Sequence, residues 1–238
     1  MAIGGCPISL GLDDESAYEK IFDSILKVIT QDIPNSKSYE NDTLIAATKI
    51  ITFLALKKPG KVSFETLSNI AGKHKSTVPE ILNVLERTHL TFSVKPYGGT
   101  SMVQKAWNYY FMHPSLNAAI RYIDGIYDPK YRSASGLFAE NLVAANFFRV
   151  KETITSTTKP VGVFYPRNPK KGDVDFLISS IEEEILPVEV GIGKKDTKQV
   201  RKAIECYKAD YGIIIADFDV ISMSDNILRI PLPLFALT

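Results

Sequence analysis

Near residue 150 of this 238-residue chain the apolar residues change period, and that change limits the folds open to it. Before it, apolar side chains recur every three or four positions, as on helices that bury one face. After it they form short runs at Val161–Tyr165, Val174–Ser179, Ile185–Val190 and Tyr211–Ala216, with one amphipathic helix, Thr197–Ala209, before the last. A long helix over Phe138–Val150 leads into these runs. The order helix, hairpin, third strand, crossover helix, fourth strand predicts a mixed α/β core. The whole chain reads as α/β (α+β), a helical first part followed by a mixed sheet.

The first part resolves further. A leading helix is predicted from Asp13 to Thr30 and is expected to stop at Pro34. A second helix starts at Asp42 and ends at Lys57-Lys58-Pro59-Gly60. Ser63 caps a short helix, Phe64–Ala71, closed by Gly72, and Ser76 caps a third running to Arg87 with Pro79 in its first turn. Strands follow at Leu90–Val94 and Trp107–Met112, then a helix over Pro114–Ile123. Three short helices and a β-hairpin make the order of a winged helix-turn-helix. The predicted division is a leading helical segment at 1–38, a winged helix at 39–125 and a sheet domain at 126–238.

Charge is segregated along the chain. The total is +1, but residues 1–35 hold two basic and six acidic side chains, a net −4. Residues 36–135 carry +6 and the remainder −1. The basic stretch coincides with the winged helix, which points to nucleic acid as its partner. On that reading Ser76, Thr77, Asn83 and Arg87 face a groove while Lys73, Lys75, Lys95 and Lys105 meet phosphates. Cys6 and Cys206 are too few and too far apart for a disulfide scaffold. No run is long enough to cross a membrane and no signal peptide opens the chain, so a cytoplasmic protein with no membrane partner is expected. There is no P-loop, so no bound nucleotide is expected, and no paired cysteines or histidines suit zinc.

One constellation carries chemistry. Asp175 stands among Val174, Phe176 and Ile178, and Glu189 stands between Val188 and Val190. An acid inside an apolar strand is costly to bury unless it is paired or bound to a metal. Strand alternation puts Asp173, Asp175 and Leu177 on one face, opposite Val174, Phe176 and Ile178. If the two strands pair, the carboxylates converge where a hard cation such as Mg²⁺ takes oxygen ligands.

With Glu140 on the preceding helix, these residues resemble the PD-(D/E)xK restriction-endonuclease-like fold. The resemblance implies Mg²⁺ held by Asp175 and Glu189, with Glu140 completing the shell. The family's E-x-K lysine falls at Gly191, which has no amine, and Lys194 is the expected substitute. More of the chain resembles the C-terminal part of uncharacterised archaeal and bacterial AAA+ ATPases. The matching stretches are Gly4-Gly5-Cys6-Pro7, Ile25-Leu26-Lys27 through Gln31-Asp32-Ile33, Ser76-Thr77-Val78, Gly136–Val143, Gly172–Phe176 and Pro187–Val190. That resemblance implies a nucleic-acid-binding module with a nuclease-like domain, whose activity the missing E-x-K lysine leaves open, associated with an ATPase domain or subunit. Two alternatives remain open at this point: a non-enzymatic module that docks on an ATPase or another protein, and an active Mg²⁺-dependent DNA endonuclease.

Overall fold

A computed structural model describes residues 6–36, 41–57, 60–98, 106–130, 134–154, 161–167, 173–179, 184–193 and 195–237. The class is α/β, with nine strands among the described residues. The chain forms two compact units, Met1–Ser93 with Lys105–Ala134, and Val94–Gln104 with Ser135–Thr238.

The first unit begins with α1 (Asp14–Lys27), whose N-cap Asp13 accepts the Ser16 N–H at 2.9 Å. Pro34 does not end this helical stretch. Val28–Asp32 widen into a π turn, Ile33 N–H donates to Val28 O, and α2 (Ile33–Ser36) carries the proline. A proline ring collides with the carbonyl four residues back, and a widened turn moves that carbonyl aside. Next come α3 (Asn41–Leu56), β1 (Val62–Ser63), α4 (Phe64–Ala71), α5 (Val78–Arg87), β2 (Thr91–Pro96), β3 (Ala106–Phe111) and α6 (Pro114–Ile123). Ser63 Oγ accepts the Thr66 N–H and Gly72 closes α4 at φ +65°, as its sequence requires. Ser76 does not cap α5; its hydroxyl bonds His74 Nδ1 at 2.7 Å, and Thr77 takes the cap position.

β1 pairs antiparallel with β3. Beneath them Ile50, Ile51, Leu67, Ile81, Leu85 and Phe92 are buried. The leading helix is built into this unit rather than standing apart. Tyr18 stacks on Tyr122 of α6 at 4.9 Å, and Arg121 of α6 donates to the Lys57 carbonyl beyond α3 at 3.1 Å. The division falls after Ala134 instead of at 125/126.

The second unit contains α7 (Ser135–Ile154), β4 (Gly162–Tyr165), β5 (Phe176–Ser179), β6 (Ile185–Val190), α8 (Lys198–Tyr207), β7 (Gly212–Ala216), β8 (Ser222–Ser224), β9 (Ile227–Pro231) and α9 (Leu232–Phe235). β4, β5 and β6 are antiparallel neighbours, β7 joins β6 in parallel, and β9 joins β7 in parallel. The end of β2, at Lys95 and Pro96, lies in this unit and pairs parallel with β4. The β8–β9 hairpin was not expected from the sequence. Its turn, Asp225-Asn226, holds both residues at positive φ, +53° and +57°, the backbone of a two-residue type I′ connection.

Val174 departs from the expected alternation. It packs with Leu177, Val200, Ala203, Ile214 and Ile227 on the α8 side, while Phe176 meets Phe147 of α7 on the other. The cause is a bend at Asp175: strand β5 starts only at Phe176, so strict alternation stops there. Cys206 is exposed on α8. No helix among the described residues is long and apolar enough to cross a membrane.

Close packing of α8 on β7 fixes the ground on which the acids stand. A Cβ at Gly212 would overlap Val200 Cγ1 and sit 3.3 Å from Ile204 Cδ1. Gly212→Ala is therefore expected to destabilise the second unit by about 1–3 kcal/mol through overpacking. Urea unfolding monitored by circular dichroism measures this, and an unchanged midpoint would count against the tight contact.

Candidate functional site

Strand register brings the two acids together. Phe176 pairs with Val188 and Leu177 with Pro187, so Asp175, just before β5, meets β6 beside Glu189. Asp175 Oδ2 accepts the Val190 N–H at 2.7 Å, which fixes the carboxylate against β6. On its other side Glu189 lies level with Ile214 of β7, within the sheet and not at its rim. Glu189 is only 3% exposed, the one acid among the buried described residues.

A cation meets it there. Lys195 Nζ lies 2.8 Å from Glu189 Oε1, and its side chain is 31% exposed. The second oxygen, Glu189 Oε2, is buried with no hydrogen-bond partner among the described residues. A buried carboxylate normally satisfies both oxygens, so the bare one marks a place for a missing donor or cation.

The electrostatics agree with this geometry. Burial raises the Asp175 carboxyl well above its ordinary range; Glu189 and Glu140 raise it further, against the Val190 N–H and Lys195. Glu189 is also raised, first by burial, with Lys195 opposing and Asp173 adding to the rise. Burial lowers the Lys195 amine, but hydrogen bonding to Glu189 and the charges of Glu189, Asp175 and Glu140 outweigh it and the net shift is upward. Glu140, half-buried on α7, thus belongs electrostatically to the same cluster. Three acids and one lysine share the site, an excess of negative charge.

Among the expected site residues, Glu140, Asp175 and Glu189 come together, whereas Lys194 lies outside the described residues. Among the described residues the lysine that reaches Glu189 is Lys195, the next residue after the expected Lys194. Once β6 ends at Val190 the alternation that assigns faces no longer applies, and Gly193, at φ +80°, turns the chain. Among the described residues no group of three or more His, Cys, Asp or Glu side chains is placed to hold a metal on its own. Mg²⁺ does not require one, since one or two carboxylates with water and phosphate oxygens suffice.

The expected nucleic-acid residues are more scattered. Lys73, Lys75, Ser76 and Thr77 lie in the turn between α4 and α5; Asn83 and Arg87 are exposed on α5. Lys73 is 3.6 Å from Asp42, an exposed partner that contributes little. Glu80, at the same helical spacing as Asn83 and Arg87, puts an acid on that face. Lys95 is exposed but belongs to the second unit, and Lys105 lies outside the described residues.

Comparison with known proteins places part of this picture. The chain is 32% identical over 234 residues to an uncharacterised protein of Methanocaldococcus jannaschii; the match covers 97% of this chain and 47% of that relative, so the chain spans about half its length. No solved structure matches it significantly. The family defined by a domain of unknown function, DUF8612, matches residues 1–126, which run from the start of the chain to just past α6 and exclude the acid cluster. The chain belongs to the DUF8612 family.

Proposed function

We propose that the chain is a nucleic-acid-binding protein whose second unit hydrolyses phosphodiesters with a divalent cation, in the manner of the PD-(D/E)xK enzymes. The observation that carries this reading is Asp175 beside Glu189, with Lys195 on one Glu189 oxygen and no partner among the described residues on the other. A structural ion pair alone would leave no reason for Oε2 to stay bare in a buried site. A hard cation fits both the orphaned oxygen and the raised acids, because it offsets the repulsion that burial magnifies. Asp175 and Glu189 would hold it, and Glu140 would add negative charge nearby. When bound, Mg²⁺ supplies Lewis acidity toward a phosphoryl oxygen and lowers the pKa of water.

The chain's own groups set up the rest. Lys195 places a positive charge beside Glu189, where a phosphate oxygen gains charge as water adds to phosphorus. The water oxygen forms the new bond to phosphorus and one ester P–O bond breaks. One water proton ends on the departing oxygen as an alcohol, and the other leaves with the phosphomonoester or to solvent. The first unit would bring the substrate. Its order, α3, β1, α4, α5, β2 and β3 with β1 on β3, supports reading it as a winged helix with α5 toward the nucleic acid. The acid at Glu80 and the modest +6 surplus make this contact one of position and shape more than of bulk charge.

A second reading is favoured by one observation. More than half of the M. jannaschii relative lies outside the match, which leaves room there for a further domain. On that reading the chain serves as a module beside an ATPase domain of the AAA+ type, and its acid cluster binds a cation without cleaving.

Three outcomes are expected. Wild-type protein cleaves plasmid or oligonucleotide duplex with Mg²⁺ or Mn²⁺ and stops with chelator, while Asp175→Ala and Glu189→Ala are inactive. Intact substrate with the folded wild type, across both metals and both single- and double-stranded DNA, would sink the nuclease and leave the second reading.

Binding to duplex DNA weakens steeply as salt rises, and Arg87→Ala together with Lys75→Ala flattens that slope by about one to two in log–log terms. Fluorescence anisotropy reads it, and no binding at low salt would remove the winged helix from the account.

Acidity gives the third. An acid raised in the folded state holds its proton more tightly there, so the metal-free protein gains stability as pH falls from the folded toward the unfolded value and loses it as pH rises. Asp175→Asn removes the cost of ionising a buried acid. The variant is expected to melt a few degrees above wild type at pH 7.5 and to lose that advantage near pH 4. The check is differential scanning fluorimetry with chelator present, and equal melting at both pH values would contradict it.

A further inference from the structure

Gly191 occupies the position two residues after Glu189, directly beyond β6, and its N–H still bonds the Ile215 carbonyl at 3.0 Å. It is not among the glycines with positive φ, so its backbone does not call for glycine. Space does. A Cβ built on Gly191 would run into the Lys195 side chain, overlapping Cε and lying 2.7 Å from Cγ and 2.8 Å from Cδ. The lysine stem therefore lies across the place a residue-191 side chain would fill, and it ends with its amine on Glu189. The turn that returns the chain is built for this. Gly193 takes φ +80°, and its N–H donates to Asp217 Oδ2, just past β7, at 2.9 Å.

We infer that Gly191 and Lys195 are one device: Lys195, reaching back from the turn before α8, supplies the site's ammonium through the gap that Gly191 leaves, and is the positioning residue of the acid pair. The inference rests on the proposed metal-dependent site. It also makes a claim of its own, that the amine is set by its endpoint and not by its place in the chain. A lysine moved to position 191 should do the same work once Lys195 has been shortened. With Lys195 still present, any side chain at 191 should clash.

Four variants test this: Gly191→Ala, Lys195→Ala, the double Gly191→Ala with Lys195→Ala, and the double Gly191→Lys with Lys195→Ala. The steric part is read by thermal melting without metal. Gly191→Ala is expected to lower the melting temperature of wild type and to leave that of Lys195→Ala unchanged. Equal losses in both backgrounds would overturn the shared space. The electrostatic part is read by Mn²⁺ titration calorimetry. Loss of the ammonium tightens Mn²⁺ binding because a competing cation is gone, and the relocated lysine brings the affinity back to that of wild type. The same affinity in wild type and all four variants, or no Mn²⁺ binding at all, would overturn the positioning role.

Cleavage is the third readout. Lys195→Ala is expected to lose about 100-fold or more in rate, and the relocated lysine to recover most of it. If wild type cleaves and Lys195→Ala cleaves equally well, the lysine inference fails while the nuclease reading stands. If wild type binds Mn²⁺ but does not cleave, the nuclease reading fails, and the melting and titration results still decide the lysine.

Discussion

A carboxylate inside a sheet sets the terms for the second unit. Glu189 is almost wholly buried within the sheet, level with Ile214 of β7 and beside Asp175. An isolated charge in such a place would be expelled or neutralised. It is tolerated because Lys195 reaches one of its oxygens, and the other oxygen stays open to whatever the site is for. Much nearby detail follows from this one need. The turn after β6 must fold back, Gly193 must take its left-handed backbone, and position 191 must be vacant. Apolar residues of equal size would pack more cheaply than this cluster, so its retention is an argument for use and not for stability.

The two units rest on different physical grounds. In the first, apolar spacing and caps decide nearly everything, and Ser63 and Gly72 bound α4 where the sequence placed its ends. In the second, long-range strand pairing decides. Asp175, just before β5, and Glu189 of β6 become neighbours because those two strands pair, and a slip in their register would carry Asp175 away from Glu189. Sheet register, not local propensity, therefore makes the candidate site.

That contrast explains what could be read in advance. The α/β class, α6 at Pro114–Ile123 and β6 at Ile185–Val190 follow directly from periodicity and turn residues. The acid pair was legible because an acid in an apolar strand is conspicuous. Three features were not. The π turn before Pro34 leaves no local signature beyond the proline itself, which usually ends a helix. The β8–β9 hairpin hid in a polar stretch whose Asp225-Asn226 turn lacks the glycine that normally advertises it. That Lys195 reaches Glu189 depends on how a glycine-bearing turn closes, and Asp217 holds Gly193 of that turn from 24 residues away.

The strand at the end of the sheet order has a consequence for the molecule's behaviour in a crowded solution. β8 is three residues long, Ser222–Ser224, and Met223 with the preceding Val220 and Ile221 is well exposed. An open sheet edge flanked by apolar side chains invites a foreign strand to pair with it. Here the edge offers too few backbone groups in a row for such pairing to gain hold, and the tight Asp225-Asn226 turn ends it at once. Brevity does the work that a covering helix or a charged border does in other sheets.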